Sequence, residues 1–592
     1  MKTAIASTTS KLAASGAINE DRLEREGEGN TMKVTRRNLL LWGAGAAAGM
    51  IVTPVPWKLL DDVSIWSQNW PWIPQPAHGP IEVKQTTCGL CPQGCGMRVR
   101  MAAGWPVGIA GVASHPVTRG ALCPLGFGAH QLNWHPQRLR TVRHGATTSS
   151  WDEARAAFAQ ACTEGPVIVI DGYPGRAASE ILEAFAQKQH GEYRVVSSLE
   201  TRALASYEAW SGVLASGLGY DLENARTIVS FGAPLLDGWS TPGRFSRLWA
   251  ERAAGMADPQ LRLIQVDAEL SRTAARAWQR IPIRRGSEAA LAAGVARILL
   301  EEHLVSARVP LPQLTLTEAS VQTGISPDAI RDLARTIIAK SPVVAITNDD
   351  DPSVAALNVV LGSVGMRGGI VRKSKAAKSY ISAEAAIPKA RAVLIDSSVP
   401  WDFVPQTDAE VFRFGAWDGG NRSAGSLPAD WLLPAPGFLE DLTDIPTAPG
   451  SPVATYAVAI SMSNKPSNIQ SAPQFLASLD PSLPAAEKII HTRCADLFHG
   501  RVGTVHGKEV TPLARLESVQ KLEEQLWNGA VWVGEPPHPA VIRCEFKEWP
   551  AAVASAPPEN WSTTWPAPVL PPLATKLYRE SSLREPPERR NP

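Results

Sequence analysis

The stretch TTCGLCPQGCGMRVRMAAGWPVGIAGVASHPVTRGALCPL, residues 86–125, decides how the rest of the chain is read. Its cysteines, Cys88, Cys91, Cys95 and Cys123, follow the spacing C-x2-C-x3-C-x27-C. Gly89, Gly94 and Gly96 supply turns that let backbone amides face the sulfurs, and Pro92 and Pro124 follow two of the cysteines. Four thiolates converging from one loop and one distant return strand suit a cubane [4Fe-4S] cluster, whose irons each take one cysteine. Structural zinc is the nearest rival, because it also accepts four thiolates, but it usually pairs its ligands as two short knuckles. Disulfides, which an exported protein could form, are the other.

Beyond this stretch cysteine is scarce: the whole chain has seven in 592 residues, and Cys162, Cys494 and Cys544 are expected as buried free thiols. The length corresponds to about four domain equivalents, enough for a large multi-layer protein. With 44% apolar and 19% charged residues the composition is globular, and a net charge of +1 argues against a nucleic-acid partner. The 49 prolines and 20 tryptophans predict long irregular stretches anchored by aromatic contacts.

Residues 1–31 are polar and charged (NEDRLEREGEGN) without apolar periodicity, so they are expected to be disordered, with Met32 as the true initiator. From Met32 the text reads MKVTRRNLLLWGAGAAAGMIVTPVPW. The pair Arg36-Arg37 precedes 14 uncharged residues, Leu39 to Val52, closed by Pro54 and Pro56. That is the pattern of a twin-arginine export signal, which carries folded, cofactor-loaded proteins across a membrane. The apolar run is shorter than the ~20 residues of a full span, so a cleaved or loosely anchoring signal over 32–57 is expected. Trp57, Trp66, Trp70 and Trp72 then mark a linker, residues 58–80, read either as core anchors or as a docking surface.

Residues 151–460 alternate short apolar runs with amphipathic stretches, which predicts parallel strands joined by crossover helices. Candidate strands are 167–170 (VIVI), 227–231 (TIVSF), 263–266 (LIQV), 343–346 (VVAI) and 392–395 (AVLI), and continuous runs of this kind suit a sheet covered on both faces. Ser326-Pro327 predicts a capped helix start with Ile330, Leu333, Ala334 and Ile337 on one stripe. Ser287 starts another, with Leu291, Val295, Ile298 and Leu299 inward. Asp171, Asp267 and Asp396 end strands, where turn or capping duty is expected ahead of ligand contact.

The cysteine stretch, the run HQLNWHPQRL (130–139) and SSWDEARAAFAQA (from 149) together resemble the opening domain of the molybdopterin oxidoreductases of the DMSO-reductase type. Later blocks continue the resemblance in order: VSFGAP (229–234), LIQVDAELSRTAARA (263–277), IPIRRGSEAALAAGVARIL (281–299), LGSVGMRGG (361–369) and ADWLLPAPGFLEDLTD (429–444). It implies an α/β fold: a small iron–sulfur domain over 81–150 and doubly wound parallel-sheet domains over 151–490. Residues 491–592 are read as a C-terminal extension ending in a proline-rich arm that lies on a neighbour, since 13 of the 57 residues from Pro536 on are proline.

The departures from that family are as informative. Active members carry a basic residue two positions after the fourth cysteine; this chain has Leu125. Their strand-end Asp-Pro-Arg becomes Asp267-Ala268-Glu269, and the region that would ligate molybdenum reads VVSSLETRALASYEAW (195–210), without cysteine, leaving Ser206 as the residual candidate ligand. Within the family the chain resembles the molybdopterin-like subunits of periplasmic menaquinone reductase complexes, related to alternative complex III. The resemblance implies an exported electron-transfer or scaffold subunit of a membrane-bound quinone oxidoreductase. It would work with multihaem cytochrome c, ferredoxin-like iron–sulfur and integral quinone-binding subunits, on the periplasmic side of the cytoplasmic membrane. One [4Fe-4S] cluster on Cys88, Cys91, Cys95 and Cys123 is expected, with molybdopterin absent and no catalytic residue of its own. A catalytic enzyme with a bis-pterin guanine dinucleotide cofactor, and a structural subunit with a zinc-filled or empty four-cysteine site, are the alternatives. His115, His130 and His135 lie near the cluster motif and are read as structural.

Overall fold

The computed structural model describes residues 35–52, 80–134, 138–236, 239, 241–374, 378–383, 385–396, 407–416, 429–463, 465–537 and 540–550. The expectations for residues 1–31, the tryptophan linker, His135 and the arm beyond 550 lie outside them. The chain divides into two compact units, Met1–Pro76 and Ala77–Pro592. In the first, the described element is a helix, Arg36–Val52. Its 17 residues give about 26 Å at 1.5 Å per residue, short of a ~30 Å hydrocarbon core. Among the described residues no helix is long and apolar enough to cross a membrane.

The second unit opens with a three-stranded antiparallel sheet, β1 (Ile81–Thr87), β2 (Gly96–Ala102) and β3 (Trp105–Gly111), in that order. Ala103 and Gly104, both at positive φ, make the tight turn that the right-handed twist of a β2–β3 hairpin favours. The alternation along β2 buries Met97, Val99 and Met101 and exposes Arg98 and Arg100. The buried set packs with Ile109, Ala129, Leu132, Phe438 and Leu439 around Cys88 and Cys95.

Two open sheets form the body. The larger has the order β14-β7-β6-β15-β16-β17-β4-β5. Its parallel strands are β6 (Val167–Asp171), β7 (Glu192–Val195), β14 (Ile381–Ser382), β15 (Ala392–Ile395), β16 (Glu410–Gly415) and β17 (Trp431–Pro434). β4 (Val142–His144) and β5 (Thr147–Ser149) extend it antiparallel at one edge. The smaller, ordered β11-β10-β9-β12, is fully parallel: β9 (Thr227–Phe231), β10 (Arg262–Asp267), β11 (Gln279–Pro282) and β12 (Val343–Thr347). A short pair, β8 (Leu218–Tyr220) with β13 (Ile370–Arg372), stands beside it. The five apolar runs named from sequence are strands, and the helix Pro327–Ile338 carries the expected Ser326 cap and buries Ile330, Leu333, Ala334 and Ile337. Ser287 precedes Glu288–Glu301, with Leu291, Val295, Ile298 and Leu299 buried.

Two boundaries and the placement of the arm differ from the sequence reading. Residues 142–149, assigned to the iron–sulfur domain, belong to the larger sheet through β4 and β5. A break at 490 would cut the helix Ala486–Gly500. Residues beyond it build β20 (Thr504–His506), β21 (Val510–Pro512) and β22 (Val531–Val533), which pair with β18 (Thr443–Ile445) and β19 (Thr455–Ala459) in an antiparallel sheet ordered β18-β19-β22-β20-β21. The described part of the proline-rich arm, 540–550, packs into this chain's own core, where the sequence reading laid the arm on a neighbour. Ile542 and Trp549 are buried, and the Phe546 ring lies tilted against Trp210 with centroids 4.9 Å apart. These three large apolar side chains carry the segment inward despite its prolines.

Candidate metal centre

The cysteine loop is the connection between β1 and β2. The Cys88 amide donates to the Cys95 carbonyl at 2.8 Å, closing a loop that continues the strand ladder, so both residues are held at the sheet end. Gly94 turns the chain at φ +62°, and a Cβ there would meet Ile445 Cγ2 at 2.6 Å, so only glycine fits. Cys123 returns as the N-cap of the short helix Pro124–Gly128, and the Gly126 N–H donates to its sulfur at 3.4 Å. From the body, the helix Pro242–Arg252 approaches so closely that a Cβ on Gly243 would lie 3.1 Å from Cys95 Sγ.

All four cysteines are free thiols, with Cys88 and Cys95 buried. Burial pushes the Cys88 thiol up to about 12, and the nearby Cys123 adds to this while the Leu90 amide opposes it. Burial likewise raises Cys91 and Cys95 well above the ordinary thiol range, reinforced by the charges of the other cysteines. Amides of Gln93 and of Cys95 itself point at their sulfurs and pull the other way. The spacing therefore does bring the four sulfurs into one electrostatic neighbourhood, lined by amide donors. Crowded and buried, the Cys88, Cys91 and Cys95 thiols keep their protons until a cationic centre replaces them.

Buried donors around this loop lack partners among the described residues: Thr87 Oγ1, Gln93 Nε2 and Tyr173 Oη. Buried polar groups are rarely left so, and buried donors around a four-cysteine loop fit an added acceptor such as an inorganic sulfide. No three His, Cys, Asp or Glu side chains among the described residues gather about one point as a single ion requires. A cubane makes no such demand, since each thiolate binds a different iron.

His115 is buried beside the loop, where a Cβ on Gly96 would strike its ring. Its Nδ1 accepts from the Thr118 N–H at 3.1 Å and lies 2.9 Å from Thr118 Oγ1. Burial lowers its pKa to about 4, against a hydrogen bond to the Gly94 backbone, so it is neutral when folded. Because the folded pKa lies below the unfolded value, the unfolded chain binds the extra proton. His115 therefore costs stability as pH falls from about 6.5 towards 4, at up to ~1.4 kcal/mol per pH unit. His115→Gln should flatten the acid limb in that window, read from urea midpoints at pH 7 and pH 4.5. His130 is half-buried, and burial lowers its pKa too. Cys162, Cys494 and Cys544 are free thiols away from the loop, raised by burial to about 11, 12 and 11.

The larger sheet has its switch point between β6 and β15, where a doubly wound sheet opens its ligand crevice. Here the crevice is filled by the chain. Arg176 bridges Asp171, at the end of β6, and Asp396, just past β15. Burial works against its charge, but Asp396 and Asp171 outweigh this and raise its pKa. The N-terminus of the next helix, Ala177–Lys188, is taken by a carboxylate: Asp444 accepts from the Ala177 N–H at 2.7 Å and is braced by Arg493. A cavity of about 180 Å³ remains, reaching from Gly89 and Leu90 of the cysteine loop to Tyr173, Arg176, Asp396 and Asp444. Near the other sheet, Ser206 donates to Asp350 at 2.5 Å. Asp267 serves its own turn, accepting from the Glu269 N–H at 3.0 Å. Leu125 is half-buried in the helix Pro124–Gly128.

Sequence reasoning missed Tyr173, Arg176, Asp444 and Arg493. The motif DGYPGR carried a signal, a strand-end Asp with an Arg five residues on, but the other partners come from more than 200 positions away.

Residues 81–132 match the family described as the molybdopterin oxidoreductase Fe4S4 domain. Over 365 residues the chain is 32% identical to the menaquinone reductase, molybdopterin-binding-like subunit, of Nitratidesulfovibrio vulgaris, a match covering 57% of this chain and 52% of that protein. Over 253 residues it is 28% identical to a sulfite dehydrogenase subunit of Allochromatium vinosum, covering 38% of this chain and 24% of that one. The chain thus spans about half of the first relative's length and a quarter of the second's. In fold it is similar to acetylene hydratase from Pelobacter acetylenicus, with a TM-score of 0.54 at 13% identity over 77% of this chain and 74% of that one. The chain thus carries a molybdopterin oxidoreductase Fe4S4 domain over residues 81–132, set on an α/β body similar in fold to acetylene hydratase.

Proposed function

We propose that this chain is an iron–sulfur electron-transfer and scaffold subunit of a membrane-bound quinone oxidoreductase, with one [4Fe-4S] cluster on Cys88, Cys91, Cys95 and Cys123. The observation that carries the reading is the gathering of these four thiols from two segments into a buried site ringed by amide and side-chain donors. When bound, the cluster supplies reversible one-electron transfer. The chain's own residues set its terms. The amides of Leu90, Gln93, Cys95 and Gly126 stabilise negative charge on sulfur, and the sheet face of Met97, Val99 and Met101 keeps water from Cys88 and Cys95.

The pterin half of the family's site reads as vestigial, because the residues at the switch points do not fit a pterin dinucleotide. Asp444 already satisfies the helix terminus that would take a phosphate. Arg176 is committed to Asp171 and Asp396, and Ser206 to Asp350. The cavity that the described residues line there, about 180 Å³, is below the range of even drug-sized ligand sites, roughly 300–1,000 Å³.

The similarity to a menaquinone reductase subunit supports a quinone complex as the setting. Multihaem cytochrome c, ferredoxin-like and integral quinone-binding subunits are the partners this reading assigns. The Arg36-Arg37 pair at the start of the helix Arg36–Val52 supports export to the periplasmic side by the twin-arginine route, with that helix as signal or anchor. Anaerobic purification with analysis of iron, molybdenum, zinc and extractable pterin tests the proposal. About four iron atoms per chain, without molybdenum or pterin, is the expected result. Stoichiometric molybdenum would overturn the vestigial reading, and zinc without iron would overturn electron transfer.

A further inference from the structure

Tyr173 lies two residues beyond the end of β6, in the crevice between the body and the cysteine loop. Its backbone is fixed: the N–H donates to Asp171 Oδ1 at 2.8 Å, and the carbonyl accepts from Arg176 Nε at 2.9 Å. The Arg176 guanidinium sits 4.8 Å from the ring centre. The side chain is 5% exposed, yet its hydroxyl has no partner among the described residues. It lines the same cavity as Gly89 and Leu90. Gly89 and Leu90 are the two residues between Cys88 and Cys91, so the ring shares its cavity with the backbone that carries those cysteines, and a phenol hydroxyl is a hydrogen-bond donor there. A buried hydroxyl without an acceptor is costly, and sulfur on the Cys88–Cys91 side is the acceptor this position faces once a cluster is bound.

We propose that the Tyr173 hydroxyl donates a hydrogen bond to the sulfur shell of the cluster beside Cys91 and thereby holds its reduction potential up. The inference rests on the cluster reading above. A donor to sulfur stabilises the reduced, more negative state, so its removal shifts the potential negative. Tyr173 acts through the cluster's electrostatics and is a positioning residue, not a catalytic one. Tyr193 gives an internal contrast, because its hydroxyl donates to Asp171 Oδ2 at 2.8 Å and is already satisfied.

The test is redox titration, followed by electron paramagnetic resonance, of anaerobically purified protein carrying Tyr173→Phe or Tyr193→Phe. Tyr173→Phe should keep its iron and thermal midpoint, show a more negative potential and lose an exchangeable proton coupling that the wild-type reduced cluster displays. Tyr193→Phe should leave the potential where it was. A wild-type potential in iron-replete Tyr173→Phe overturns the proposal, as does an equal shift in Tyr193→Phe, which would assign the effect to the Asp171–Arg176 group. If Tyr173→Phe fails to hold iron, the wild-type spectrum decides: absence of the exchangeable coupling overturns the proposal. Iron-free wild-type protein overturns the cluster reading itself, a separate result.

Discussion

Cys95→Ala should strip most of the iron from the purified protein and slow quinone reduction by the assembled complex. Cys95 is one of the two buried members of the ligand set: its carbonyl closes the loop onto Cys88, and Gly243 presses on its sulfur from the body. Alanine preserves the backbone and the small volume, so the loss falls on metal binding and not on the fold of β1 and β2. Because the unfolded chain lacks a preformed site, binding free energy counts as folding free energy, and the domain should lose roughly 3 kcal/mol or more of stability in the iron-replete comparison. Cys494→Ala is the matched control. That thiol is also buried, on the core face of the helix Ala486–Gly500, and its truncation should cost only about 1 kcal/mol for a small void, with iron unchanged. Iron content, unfolding midpoint and complex turnover measured on both variants check this. Full iron in Cys95→Ala would remove the cysteine from the ligand set. Unchanged turnover in an assembled, iron-depleted complex would leave the chain a scaffold alone.

What could be read from the sequence was local. The C-x2-C-x3-C loop lies within eight residues, and Ser326-Pro327 fixes a helix start through its own cap, so neither depends on distant partners. Runs such as VIVI and AVLI announce buried parallel strands because both faces are covered. The misplaced boundaries fall where that signal vanishes. β4 and β5 are three residues each, polar and half exposed, and β20 to β22 are equally short. Such strands form because an existing sheet edge offers hydrogen bonds, which no apolar period records. The filling of the switch point is hidden for the same reason. Asp444 caps a helix 267 positions away, and Arg493 reaches it from a further helix. Each residue alone reads as an ordinary surface charge. The departures at Leu125 and Asp267-Ala268-Glu269 were visible in the sequence, but the Asp171–Arg176–Asp396 group was not.

Arg176→Met should destabilise the body by about 3–5 kcal/mol, because it strands Asp171 and Asp396 as two buried carboxylates across one crevice. A surface ion pair would cost roughly 1 kcal/mol or less, so the size of the loss separates a plug built into the core from an incidental contact. Restoring neutrality should recover most of it: in Arg176→Met combined with Asp171→Asn and Asp396→Asn, the amide at 171 stays within reach of the Tyr173 N–H and the Tyr193 hydroxyl, and neither position has a charge to solvate. The triple variant also bears on function. If the crevice is a closed relic, that variant should keep its iron and its turnover in the complex, since no step of electron transfer uses the ion group. If instead Arg176 holds a bound anion, the triple variant should refold yet lose turnover together with extractable pterin. Chemical denaturation gives the first comparison, and iron, pterin and turnover measured on the same preparation give the second. The two outcomes differ because only the second requires a ligand at the Asp171–Arg176–Asp396 group.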